Sequence, residues 1–118
     1  MSSDMWPFVE LLDAHLDAGV AETYKDQPLA QDWARVAKLV EEAGEAIQAL
    51  IACTGQNPRK GVCGNVDDLL DELADAALTG IYAIQHFTKN VRVTQTIIEQ
   101  KAIYHCQRVG ITFERAEP

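Results

Sequence analysis

The sequence is short of positive charge: 10 Lys and Arg stand against 18 Asp and Glu, a net charge of −8. Such a surface repels phosphate backbones and anionic lipid alike, which argues against a nucleic-acid polymer or a membrane as partner. No apolar run approaches the roughly 20 residues that a membrane-spanning helix needs, and the first residues lack a basic-then-apolar signal pattern. Cysteine is scarce as well. Cys53, Cys63 and Cys106 are odd in number and show no CxxC spacing, as expected of reduced thiols in a cytoplasmic protein. No segment alternates apolar and polar residues as a half-buried strand does. There is no Walker-type GxxxxGK[ST] loop, no internal repeat and no low-complexity stretch. A chain of 118 residues without such interruptions suits a single domain, 1–118, with a real but modest core.

What is present is helical period. Hydrophobic residues make up 47% of the chain, ordinary for a globular protein. Ser3 or Asp4 is placed to cap a first helix, with Pro7 in the opening turn, where a missing N–H does no harm. Trp6, Phe8, Val9, Leu12 and Leu16 form its stripe, suited to a core or a dimer interface. Gly19 reads as its stop, which makes 20–27 a connection. A second helix is expected from Pro28 to Thr54, ended by Gly55, with Trp33, Val36, Val40, Ala43, Ile47, Leu50 and Ile51 as its main apolar face. A third follows the cap Asn65, with Val66, Leu69, Leu73, Ala76, Ala77, Gly80, Ile84 and Phe87 on its apolar side. A fourth runs from Val91 to Arg108 between Asn90 and Gly110, carrying Lys101, His105 and Arg108 as a row that is either surface cations or anion-facing. The expected fold is all-α with four helices. Residues 1–27 give the N-terminal helix and connection, 28–110 the central helices and 111–118 a tail.

The acidic residues are patterned too. Glu41, Glu42 and Glu45 sit opposite the apolar stripe of the second helix, at spacings that bring carboxylates side by side. Glu72 and Asp75 repeat the i, i+3 spacing on the third. A run of acids is most simply a solvated face. Here, however, the acids share their side with Ala34, Ala49 and Ala52, a composition suited to close approach of another element. On the third helix the stripe Asp68, Glu72, Asp75, Thr79, Tyr82, His86 carries acids, then hydroxyls, then a histidine. Asp68 reads as a capping-turn carboxylate. If the two faces meet, carboxylates converge and repel one another unless a cation or water lies between them. Mg2+ favours such oxygen ligands and leaves positions for water and phosphate. In the glycine-bracketed connection 55–61, Arg59 and Lys60 are either solvated or within reach of a substrate phosphate.

Taken in order, Glu41-Glu42-x-x-Glu45 and Glu72-x-x-Asp75 resemble the EExxE…ExxD signature of MazG-like, all-α nucleoside triphosphate pyrophosphohydrolases. Lys38-Leu39-Val40 before the first motif and Thr54-Gly55-Gln56-Asn57-Pro58-Arg59-Lys60-Gly61 before the third helix look like the single-domain type found in actinobacteria and their phages. The resemblance covers roughly residues 30–110. It implies a four-helix MazG-like bundle completed by homo-oligomerisation, as a homodimer or homotetramer. It also implies Mg2+, with Mn2+ as a substitute, held by Glu42, Glu45, Glu72 and Asp75, and a catalytic role for Glu41 towards the attacking water. The reaction implied is hydrolysis of a ribo- or deoxyribonucleoside triphosphate, standard or non-standard, between the α and β phosphates, giving the monophosphate and pyrophosphate. Where several members carry Tyr and Asn after the ExxD aspartate, this chain has Thr79 and Tyr82, so base and sugar contacts do not transfer directly.

The charges fit that chemistry. A triphosphate carries about four negative charges, and Mg2+ reverses the sign of an acidic site and acidifies bound water. Lys38, Arg59 and Lys60 are candidates for stabilising the pyrophosphate leaving group, and Thr79 and Tyr82 for contacting the nucleotide. Two alternatives stand beside this reading: a phosphoribosyl-ATP pyrophosphohydrolase, and a non-catalytic nucleotide-binding or dimerisation module. A ferritin-like di-metal bundle needs Glu-x-x-His pairs, and none of His15, His86 or His105 follows a glutamate at that spacing.

Overall fold

A computed structural model describes residues 4–112, and among these every regular element is an α-helix. The helices are α1 Trp6–Tyr24, α2 Pro28–Thr54, α3 Val66–Thr88 and α4 Val91–Arg108. Their ends follow from local chemistry. The Asp4 carboxylate accepts the Trp6 backbone N–H at 3.1 Å, with Met5 in the cap position; Ser3, the other expected cap, and the tail from 113 onward lie outside the described residues. Gly55 ends α2 at φ 70°, a left-handed conformation, and its backbone N–H returns to the Ile51 carbonyl. A Cβ at Gly55 would sit 2.9 Å from Val62 Cγ2, so glycine is required there by both backbone and space. Asn65 and Asp68 form a reciprocal capping box at the start of α3, which gives Asp68 its structural role. Asn90 caps α4 through the Arg92 and Val93 backbone N–H groups.

Gly19 does not stop α1, which continues through 20–24, the segment expected to be a connection. An interior glycine costs a helix only about 1 kcal/mol. Val20 and Tyr24 extend the spacing set by Leu12 and Leu16, and all of them line one cavity.

α2 and α3 form an antiparallel pair joined by the loop 55–65, and they share the largest contact in the molecule. Among the shielded positions, one row on α2 is Asp32, Arg35, Leu39, Glu42, Ala46, Ala49 and Cys53, and one on α3 is Leu69, Glu72, Ala76, Thr79, Ala83 and His86. Both rows advance by alternating steps of three and four, the seam of one helix lying along another. Ala46 is buried in it, and a Cβ at Gly80 would lie 3.8 Å from Leu39 Cδ1. The small residues admit the partner helix, and the acids go in with them.

The apolar stripe expected to form the core of α2 therefore faces outward. Trp33 is 78% exposed and Val40 72%, with Val36, Ile47 and Leu50 also exposed. Phe8, Leu70, Leu73 and Phe87 are exposed on the other helices. Among the described residues the buried apolar side chains are Val9 and Ala46. The accessible surface is 9049 Å², against about 6,300 Å² for a compact monomer of this mass. The radius of gyration, 17.9 Å, likewise exceeds the roughly 13.5 Å of a compact domain of this length. No helix among the described residues is long and apolar enough to cross a membrane.

α1 is held by the buried Val9 and by charge. Asp13, buried on α1, accepts hydrogen bonds from Arg35 of α2 and from Lys89 Nζ at 2.9 Å. Asp17, one turn on, receives Lys89 and, at 2.8 Å, the Gln31 amide. His86 Nε2 pairs with Asp32 at 2.7 Å. Burial alone would push the Asp17 carboxyl up; the Lys89 hydrogen bond and charge, backed by Arg35 and His86, hold it below its usual value. Burial would likewise lower the Lys89 ammonium, and its bonds to Asp13 and Asp17 raise it instead.

Candidate metal centre

Glu42 sits in the seam, and it and the exposed Glu45 meet Glu72 from the antiparallel helix. One carboxylate oxygen from each lies within 4.8 Å of the others. Glu45 is exposed, whereas Glu42 and Glu72 are partly shielded. Glu72 Oε2 is buried and has no hydrogen-bond partner. Its carboxyl is pushed above the usual 4.5, first by burial and then by the charges of Glu45 and Asp75. A shielded carboxylate oxygen without a donor, crowded by like charge, is an unfavourable arrangement that a hard cation relieves. The donor set consists of oxygens alone, the chemistry suited to Mg2+ or Mn2+.

The remaining sequence candidates divide into those beside the cluster and those away from it. Asp75 stands one turn beyond Glu72, exposed, and contributes to its electrostatics. Glu41 is exposed and pairs with Lys38 Nζ at 3.2 Å. Lys38 also reaches Glu42 at 3.5 Å, and the hydrogen bond and charge of Glu41, then those of Glu42, raise its ammonium above 10.5. Thr79 Oγ1 donates to the Asp75 carbonyl at 2.7 Å. Thr79, Tyr82 and Lys38 share the wall of a single cavity. Arg59 and Lys60 are exposed in the connecting loop, and neither side chain has an ion-pair partner among the described residues. The loop itself is ordered by the Asn57 carbonyl, which accepts the Lys60 and Gly61 backbone N–H groups, and by Cys63 N donating to Ala52 O at 2.9 Å. The α4 cations stay on the surface, Lys101 and Arg108 lying over the Tyr104 ring.

Sequence reasoning missed the charged clasp of Asp13, Asp17, Asp32, Arg35 and Lys89, although it placed His86 on the functional stripe. A signal was available: Asp13 falls on the helical face of Val9 and Leu16, where a solvated acid does not belong. The three cysteines are free thiols. Compared with known proteins, the chain matches no family model, no curated protein and no solved structure.

Proposed function

We propose that this protein hydrolyses nucleoside triphosphates between the α and β phosphates, with Mg2+ as cofactor, in the manner of the MazG-like enzymes its motifs resemble. One observation carries the reading: Glu42, Glu45 and Glu72 converge from two antiparallel helices around the orphaned, shielded oxygen of Glu72. A solvated acidic face would leave each carboxylate its own water shell. Bound there with Asp75 near by, Mg2+ would neutralise the carboxylates and the polyphosphate and lower the pKa of water.

The roles of the chain's own residues follow from position. Glu41 is exposed beside the cluster, with Lys38 as its partner. When an incoming phosphate draws Lys38 away, Glu41 is freed to orient a water and accept its proton. That water attacks the α phosphorus, the bond to the bridging oxygen breaks, and pyrophosphate departs with Lys38 offsetting its charge. Arg59 and Lys60 serve the same end once the loop approaches. The test is a product assay with Mg2+ across ribo- and deoxyribonucleoside triphosphates and phosphoribosyl-ATP. Monophosphate plus pyrophosphate is the expected result. Tight nucleotide binding without product would replace this reading with the non-catalytic module.

The same reading has the working unit as two or more copies. The accessible surface exceeds that of a compact monomer by about 2,700 Å² per chain, and obligate homodimer interfaces bury about 2,000–5,000 Å² summed over both partners. Trp33, Val36, Val40 and Ile47 line one side of α2 and supply the apolar patch. Trp33→Glu is expected to shift sedimentation towards a monomer and to lower the melting temperature. A wild-type chain that sediments as a monomer at micromolar concentration overturns the assignment.

A further inference from the structure

We propose that the cavity walled by α1 takes the nucleoside end of the substrate, and that Leu16, Val20 and Tyr24 make it select a base with an apolar substituent. This rests on reading the carboxylate cluster as the phosphate end.

The cavity measures about 370 Å³ and lies between α1 and the α2–α3 pair, a size within the range of small-molecule pockets. It adjoins the cluster through shared residues. Lys38 lines the cavity and pairs with Glu41 and Glu42; Thr79 lines it and is hydrogen-bonded to the Asp75 backbone. A ligand that fills both places has a polyanionic end and a largely apolar one, the chemistry of a nucleoside polyphosphate.

The polar inventory of the wall narrows the choice. The Gln31 amide donates to Asp17, the Arg35 guanidinium to Asp13, and the Thr79 hydroxyl to a backbone carbonyl. Arg35 Nε has no partner but is sealed from solvent. What remains open is the aliphatic surface of α1 and two tyrosines, Tyr24 and Tyr82, whose hydroxyls have no partner among the described residues. Such a wall does not read a base edge by a set of donors and acceptors. It rewards apolar contact and ring stacking, with two hydroxyls available to a sugar or carbonyl. One added methyl group is then worth about a fourfold gain in kcat/KM.

Thymidine and deoxyuridine triphosphates differ by one methyl group and form the test pair, with inorganic tripolyphosphate as an inhibitor that lacks the nucleoside. The wild type is expected to favour thymidine triphosphate about fourfold. Leu16→Trp, which fills the cavity, is expected to raise KM for it at least tenfold while the inhibition constant of tripolyphosphate stays unchanged. Val20→Trp repeats the test should the first variant fold poorly by circular dichroism. Equal KM values in wild type and both variants overturn the proposal and leave the reading of the cluster standing. A change in sedimentation without a change in KM also overturns it, the cavity then being covered by a second copy. If the wild type hydrolyses no triphosphate, the reading of the cluster fails on its own. Thymidine monophosphate, followed by NMR, then decides the cavity: shifts at Thr79, Tyr82 and Val20 uphold the apolar site, and none there overturns it.

Discussion

Glu72→Gln is expected to abolish Mg2+-dependent turnover and, in the absence of metal, to make the protein more stable. Replacing partners that merely orient metal ligands costs about 10- to 100-fold, so losing a ligand is expected to lower kcat/KM by at least about 100-fold. The stability gain has a separate origin. The Glu72 carboxyl is raised above its usual value by burial and by Glu45 and Asp75. At intermediate pH the folded state therefore holds a proton that the unfolded state has released. Stability falls as pH climbs from the ordinary carboxylate range through the raised pKa, and at neutral pH the repulsion is fully present. A neutral amide removes that repulsion and can donate to a neighbouring carboxylate. Thermal scans at pH 7 with EDTA should place the variant above the wild type, and the two should converge in acid. Added Mg2+ or Mn2+ should raise only the wild type. Metal affinity should also weaken on acidification from above the usual glutamate range, because the ligands bind deprotonated. A Glu72→Gln protein that still gains stability from Mg2+, or still turns over, removes Glu72 from the site; Glu45→Gln provides the parallel check.

The sequence made the helices legible because their ends are marked by local chemistry: Asn65 with Asp68, Gly55, and Asn90. At the start of α1 the cap position falls to Met5, and Asp4 before it accepts the Trp6 backbone N–H. It was less informative about which faces meet. Trp33, Val36, Val40 and Ile47 have the spacing of a core, yet they are exposed in the single chain. Periodicity reports that a face avoids water; it does not report whether the cover comes from the same chain or another. The seam that does form mixes alanines and acids with Arg35, Leu39, Leu69 and His86, and its signal was the alanines that share a side with the glutamates. Glu42, Glu45 and Glu72 were recoverable because spacing and residue type point the same way. Arg35 and Lys89 were not, since their meaning depends on Asp13 and Asp17 arriving from α1, far away in the chain.

That clasp gives the second large effect. Asp13→Asn should destabilise the protein by about 3 kcal/mol, because removing one member of a buried ion pair strands its partners. Asp13 is 4% exposed. It meets Arg35, whose side chain is 12% exposed, and Lys89, whose side chain is 48% exposed. Arg35 is the costly orphan, since Lys89 can turn to solvent and to Asp17. A loss of that size lowers the melting temperature by roughly 10 °C for a domain of this length. Asp26→Asn, at an exposed site, serves as the control expected to change little. The clasp should also confine stability to a pH window. The Asp17 carboxyl is lowered, so its contribution is present above the ordinary aspartate value and is lost as pH falls through the depressed one. The Lys89 ammonium is raised, so its contribution is present below the ordinary lysine value and is lost as pH rises through the elevated one. Lys89→Met should therefore lie below the wild type near neutrality and approach it in acid, where Asp17 no longer carries charge. α1 also walls the cavity beside the carboxylates, so loosening it should weaken nucleotide binding before it unfolds α2 and α3. Protease cleavage appearing first within Trp6–Tyr24 of Asp13→Asn, with α2 and α3 still protected, is the expected pattern; uniform cleavage along the chain would show instead that α1 is no more than one more part of a single cooperative unit.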